Sequence, residues 1–263
     1  MNVISLSVLF VWPRSFEQMI EEIRKDRNLE ELPDAWDIVD DGPTKFSKRR
    51  IIKLKQLAES GYKFTAHCPF RPLDFINPDD TIRKESLNKL MQSMYDVSEL
   101  SPLVYVVHPS DFPNGKAVED VKVQHFEFLE KIFDYAKSIG INASVENHIP
   151  RNNHMFTTPK EFLEFYERTG SQMGMTYDTG HANLNGTSKE FVDKLEKRMV
   201  VVHVHDNNGM EDEHLMIGKG NIDWAYIIGK LNKEIFSGIY VIESIQEPFN
   251  CVKILKKMIN DGL

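Results

Sequence analysis

Short apolar or alternating runs recur along the chain, and between them apolar residues return every three or four positions. The short runs predict strands over 3–9, 35–40, 62–67, 103–108, 141–146, 173–178, 199–204 and 238–243. The longer stretches predict helices over 15–26, 47–59, 80–99, 118–139, 158–169, 187–197, 223–232 and 249–260. The helix over 80–99 carries Leu87, Leu90, Met91, Met94 and Val97 on one face. The one over 118–139 does the same with Phe126, Leu129, Ile132, Phe133, Ala136 and Ile139. Ser15, Ser47, Thr158 before Pro159, and Asp223 stand where helix N-caps belong, and Gly61, Gly140 and Gly170 punctuate helix exits.

Eight strand–helix pairs in 263 residues fit a closed barrel or an open doubly wound sheet. The strand ends separate the two. His67 closes KFTAH, His108 closes VYVVH, Glu146 closes NASVE, Asp178 closes GMTYD, His203 closes VVVH and Glu243 closes YVIE. An open sheet gathers its site at one switch point and here lacks a GxGxxG after the first strand. Polar heads on strands three to eight share an axis only if the sheet closes. The expected fold is therefore α/β, a (β/α)8 TIM barrel forming a single domain over 1–263, with no linker or low-complexity tract.

Composition narrows the function classes. At 41% hydrophobic residues a sizeable core is available, and the net charge of −8 provides no global basic field for polyanions. Three bound divalent cations would nearly cancel that charge, so it weighs little against a phosphate substrate. Cys68 and Cys251 are far apart and form no CxxC, which argues against a disulfide framework and for a cytoplasmic protein. The apolar start VISLSVLFVW is too short to span a bilayer and has no basic flank; it reads as a strand, and no membrane partner is expected.

The loops add His181 in YDTGHAN and Asp212 and His214 in EDEH. Nine candidate ligands result: His67, His108, Glu146, Asp178, His181, His203, Asp212, His214 and Glu243. A catalytic zinc uses three protein ligands and an open position, so nine imply two or three ions with a bridging carboxylate. A set of imidazoles and carboxylates points first to zinc or manganese and is compatible with cobalt or iron. A lone strand histidine is ordinarily a satisfied core residue, and a lone carboxylate a cap or ion pair. A barrel interior cannot bury so many without partners. His125, in a helix, and His148 and His154, in a polar loop, read as ordinary residues. His205 follows His203 by two on the same strand face and is assigned a supporting, substrate-side place.

The stretches AHCPF, VVHPSD, SVENH, TYDTGHAN, VVHVHDNNG, EDEHLMIGKGNIDW and VIES resemble the xylose isomerase-like barrel superfamily, which includes sugar isomerases, sugar epimerases and endonuclease IV. The resemblance implies two ligand schemes. In epimerase-like members, positions matching Glu146, Asp178, His203 and Glu243 hold one ion and the two glutamates flank the substrate. In the endonuclease IV-like pattern, His67 and His108 share a metal with Glu146, which bridges to a second held by Asp178, His203 and Glu243. His181, Asp212 and His214 hold a third. His203 is chosen over His205 because the family shows His-x-x-Asp there, completed by Asp206.

Two functions follow. The first is a metal-dependent sugar or sugar-phosphate isomerase or epimerase in which Glu146 and Glu243 move the proton through an enediolate. Trp12, Phe70 and Trp224 would supply apolar walls, and Arg151 would meet a phosphate or hydroxyl. The alternative is a trinuclear phosphodiesterase cutting DNA at abasic sites. Three ions would make the four-carboxylate site locally positive, whereas one would leave it negative. Against DNA stands the expected rim. Asp40, Asp41, Asp74, Asp79, Asp80, Asp111, Asp206, Glu211, Asp212, Glu213 and Glu247 outnumber Arg14, Lys45, Arg71, Lys116, Arg151 and Lys219. The basic run KFSKRRIIKLK falls on a helix and reads as a solvated face. The first choice is a small sugar substrate, in a monomer or homodimer.

Overall fold

Eight parallel strands pair in chain order and close on themselves: β1 Val3–Ser7, β2 Ala35–Val39, β3 Phe64–His67, β4 Tyr105–Val107, β5 Ala143–Glu146, β6 Gly174–Asp178, β7 Met199–Val204 and β8 Ile239–Ile242. The seam joins β8 to β1, with Val3 opposite Ile239 and Leu6 opposite Ile242. Among the described residues the continuous α-helices are α1 Lys48–Glu59, α2 Asp80–Ser98, α3 Glu119–Ser138, α4 Pro159–Thr169, α5 Thr179–Leu184, α6 Ser188–Leu195, α7 Trp224–Lys233 and α8 Pro248–Asp261. This computed structural model describes residues 2–261 except 13, 18–19, 21–22, 24–27, 29–30, 71–72, 111–118, 152–153 and 235. Of the helix expected over 15–26, Phe16, Glu17, Ile20 and Ile23 are helical, and much of the rest lies outside the described residues, as do Arg71, Asp111 and Lys116.

The expected alternation places the two faces. Outward residues such as Leu6, Ile38, Phe64, Tyr105, Val145, Tyr177, Val202 and Tyr240 are buried in the main core under the helices. Full burial of each such side chain contributes roughly 1.5–3 kcal/mol. Inward residues lie two positions apart along each strand. Two positions before the strand-end ligands come Thr65, Val106, Ser144, Thr176, Val201 and Val241, all fully buried. Val104, Val201 and Val241 form a small separate apolar cluster. The hydroxyls pair: Ser5 with Thr65 at 2.9 Å and Ser144 with Thr176 at 2.6 Å, while Thr65 donates to Asp37 at 2.8 Å.

Local signals hold at most boundaries. Ser47 accepts from the Arg50 N–H, Asp223 accepts from Tyr226, and the Glu161 carboxylate takes the N–H groups of Thr157 and Thr158. Gly61, Gly140 and Gly170 adopt φ of +96°, +75° and +69°, the left-handed exits that glycine permits.

Three local expectations need correction. The first strand stops at Ser7, and Val8–Val11 form a 3-10 turn, because a run of four apolar residues carries no alternation to mark the end. Helix α5 was not expected; at six residues it is too short to show a period, and Asp178 caps it by accepting from the His181 N–H at 2.7 Å. In the basic run, Arg50 is buried rather than solvated. It pairs with Glu17 at 3.3 Å and donates to the Val39 carbonyl at 3.1 Å. Among the described residues no helix is long and apolar enough to cross a membrane.

Candidate metal centre

The end of β7 puts one imidazole nitrogen among three carboxylates. His203 Nδ1 lies 3.2 Å from Glu146, 3.4 Å from Glu243 and 3.6 Å from Asp178. All four residues are buried, and neither His203 nitrogen has a hydrogen-bond partner. Ligands about 2.0–2.1 Å from one tetrahedral ion stand roughly 3.4 Å from each other. The spacing is that of a coordination shell, and the donor set fits a divalent cation.

Glu146 also faces the other way. Its Oε2 is 3.2 Å from His67 Nε2 and 3.1 Å from His108 Nε2, whereas its Oε1 faces His203. The two oxygens thus point into two adjacent ligand groups, the arrangement a bridging carboxylate needs. A third group lies further out. His181 Nε2 and His214 Nε2 stand 3.5 and 3.3 Å from the same Asp212 oxygen. His214 holds φ at +48°, a left-handed conformation that costs a non-glycine residue about 1–2 kcal/mol.

The tautomers are set from behind. The Nδ1 atoms of His67, His181 and His214 lie 3.0, 2.8 and 3.0 Å from the carbonyls of Cys68, Asn147 and Glu243. Donating there leaves the lone pair on each Nε2, facing a carboxylate. Two lone pairs face each other at such distances only with a cation or a proton between them. Without a cation the group takes up protons. Burial pulls His181 down, but Asp178, Asp212 and Glu146 outweigh it and raise its pKa to about 10. His214 rises to about 9 in the same way, through Asp212 and Glu243. His67 and His203 are likewise held well above the usual range despite burial. Burial raises Glu146, Asp178 and Asp212, yet the surrounding histidines hold all three low.

Neighbouring residues in the same motifs fix these positions. Asn147 clips β5 to β6, giving its amide N–H to the Asp178 carbonyl at 3.0 Å and accepting the Asp178 N–H at 2.6 Å. The Thr179 hydroxyl reaches the carbonyls of His203 and His205 at 2.9 and 3.1 Å. Asn207 donates to the Gly180 carbonyl at 3.0 Å and accepts from Asn183 at 2.8 Å.

All nine expected ligands therefore converge, although His108 and Glu243 sit one residue past their strands. The other assignments fare unevenly. Phe70 does line the site, its ring 4.8 Å from that of His67 and 5.6 Å from that of His108. Trp12 is partly exposed and packs on Gly42, and Arg151 is exposed. Trp224 is no wall of the site: it is buried and donates its indole N–H to Asp206 at 2.9 Å. His205 is not on the substrate side. It is fully buried, its Nε2 3.1 Å from both Asp178 oxygens.

The acidic rim shrinks as well. Asp206 is buried under the β7–α7 loop and Asp40 under Phe46, Asp79 caps α2, and Asp80 pairs with Arg83 and Lys84 on α2. These are structural acids that a loop assignment cannot tell from a charged mouth. Sequence reasoning also missed two residues. His148 lies with its ring 5.5 Å from that of His108 and 6.1 Å from that of His181. Asp37, fully buried on β2, sits beneath the ligands with its carboxyl pushed up by burial; its signal was its place between Trp36 and Ile38, which face outward into the main core, so that Asp37 must face inward. His125 is the ordinary core residue expected, accepting from the Ser110 N–H at 3.1 Å.

Similarity to known proteins agrees with this architecture. A solved D-tagatose 3-epimerase-like protein superposes with a TM-score of 0.87 at 30% identity, covering 98% of each chain. An uncharacterized protein of Methanocaldococcus jannaschii is 32% identical over 261 residues, 96% of this chain and 87% of that one. A probable endonuclease 4 of Petrotoga mobilis is 24% identical over 169 residues, 57% of this chain and 58% of that one. With its closed barrel and with residues 31–260 matching the family model, the chain belongs to the xylose isomerase-like TIM-barrel family.

Proposed function

We propose that this protein is a divalent-metal-dependent sugar or sugar-phosphate epimerase or isomerase. The observation that carries the reading is the His203 nitrogen enclosed by Glu146, Asp178 and Glu243, with two glutamates among the three carboxylates. The D-tagatose 3-epimerase-like relative, similar over nearly the whole chain, supports it. Glu146, Asp178, His203 and Glu243 would hold the reactive cation, zinc or manganese by donor type. That cation would polarise a sugar carbonyl and so acidify the neighbouring C–H. A carboxylate oxygen of Glu146 or Glu243 takes that proton, and the other glutamate delivers one to the enediolate. Phe70 packs beside the rings of His67 and His108 and would supply an apolar wall on that side.

A second reading has a specific observation of its own. The groups around Glu146 Oε2 and Asp212 extend the ligand set beyond what one ion needs, as a trinuclear phosphodiesterase would require. With Asp40 and Asp206 buried and Asp80 paired with Arg83 and Lys84, charge alone is a weaker argument against DNA. Full-length similarity to the epimerase-like structure keeps the sugar reading first.

The test is to incubate metal-loaded protein in deuterium oxide with panels of ketoses and ketose phosphates, and separately with an abasic-site duplex. Deuterium at the carbon beside the carbonyl, lost in Glu146→Gln and Glu243→Gln, is expected. Strand nicking at physiological salt with no sugar exchange would transfer the site to the second reading.

A further inference from the structure

We propose that His205 is itself a metal ligand, closing an outer cation site built from His181, His205, Asp212 and His214. The inference rests on the reading that the barrel mouth binds cations, and it is independent of the substrate.

His205 Nε2 lies 3.1 Å from both oxygens of Asp178. Donating its N–H there leaves the lone pair on Nδ1. That Nδ1 is buried and has no hydrogen-bond partner, and it stands 3.7 Å from Asp212 Oδ1. Leaving such an acceptor unsatisfied is unfavourable. The His205 ring stacks on that of His214, centroids 4.0 Å apart and planes 9° from parallel, so both rings approach Asp212 side by side. His181 Nε2 and His214 Nε2 face the other Asp212 oxygen at 3.5 and 3.3 Å. Three imidazole nitrogens from the start of α5, the end of β7 and the β7–α7 loop thus surround one carboxylate.

The count of ligands has a chemical consequence. A zinc site with four protein ligands is closed, and one with three keeps a position for water or substrate. With His205 in place the outer ion has no vacancy for an attacking hydroxide or a phosphate oxygen. Its work is to anchor the loop carrying Asp212 and His214. Through the His205–Asp178 contact it also orients a carboxylate of the inner group.

The ligand atom itself provides the test. His203 offers Nδ1 to its carboxylates, whereas His67, His108, His181 and His214 offer Nε2. In protein labelled with 15N-histidine and loaded with cadmium-113, nitrogen–cadmium coupling is expected at two Nδ1 atoms, those of His203 and His205. In parallel, His205→Gln is reloaded with zinc and cobalt. It is expected to weaken the outer ion at least tenfold, or to lose it, with the strong visible band of four-coordinate cobalt reduced. Asp212→Asn is expected to do the same. Coupling at only one Nδ1, or a His205→Gln protein with unchanged metal count, affinity and cobalt band, would overturn the proposal while leaving the inner site standing. Wild-type protein that retains no cation would instead remove the metal reading altogether.

Discussion

Gly180 leaves the space that the ring of His205 fills: a Cβ on residue 180 would stand 2.6 Å from Nδ1 and 2.7 Å from Nε2 of that ring. His205 is fully buried and cannot retreat into solvent. Gly180→Ala is therefore expected to destabilise the fold by about 1–3 kcal/mol, the usual scale of overpacking. Urea unfolding with a chelator present isolates that packing cost from any metal effect. Metal retention should fall in the same variant, because the displaced ring carries the contact to Asp178.

Glu146 faces two candidate ligand groups, one with each oxygen, so on the proposed function its amide should cost more than one ion's worth of function. Glu146→Gln keeps the volume and is expected to preserve the circular dichroism spectrum. Turnover should drop by roughly 10²–10⁴-fold, the range lost with a proton-transfer group. Metal content per chain should fall with it. Near-normal turnover of any identified substrate would take Glu146 out of the proton-transfer role.

How far the sequence speaks differs from residue to residue. The strands and the convergence of His67, Glu146, Asp178 and His203 were legible because a closed barrel turns alternate residues inward, so a polar strand end must face the axis. That His205 shares the His203 face was also legible. Its contact with Asp178 was not, since that depends on how closely β6 and β7 approach beyond Val204. Asp206 reads as one more loop acid, and only folding shows that the backbone of residues twelve to sixteen further on comes back to it. Trp224 misled for the same reason, its indole N–H being committed to Asp206. His148 carried no periodic signal at all; the loop after β5 places its ring beside those of His108 and His181.

Asp206 is the anchor of the loop that supplies Asp212 and His214. Its carboxylate accepts the N–H groups of Asn207 at 3.0 Å, Gly218 at 2.8 Å and Ile222 at 3.3 Å, besides the Trp224 indole. Asp206→Ala strands the buried donors of Asn207, Ile222 and Trp224 and frees the Gly218 N–H, and each bond to a charged acceptor is worth about 1.5–3 kcal/mol. A loss on the order of 3 kcal/mol or more is expected in thermal or urea unfolding. Asp206→Asn, which keeps one acceptor oxygen, should lose less. The loop variants should also release metal faster during dialysis, whereas a surface change such as Lys160→Ala should not.

The buried histidines predict opposite pH slopes for the metal-free and metal-loaded protein. Without metal, His181 and His214 are raised to about 10 and about 9 from the ordinary 6.5. A raised pKa gives stability that is fully present below 6.5 and drains away as pH climbs through the folded values, here between about 6.5 and 10. Asp178 and Glu146 are held low, so their contribution is present above the ordinary carboxylate range and lost as pH falls below it. The chelated protein should therefore be most stable in mildly acidic buffer and lose melting temperature from neutrality upward. A bound cation needs the same imidazoles unprotonated, so the metal-loaded protein should gain stability over that interval as protons leave. Melting curves at pH 5 to 10, with excess zinc or with chelator, decide the matter: parallel slopes would mean that protons and cations do not compete for these nitrogens.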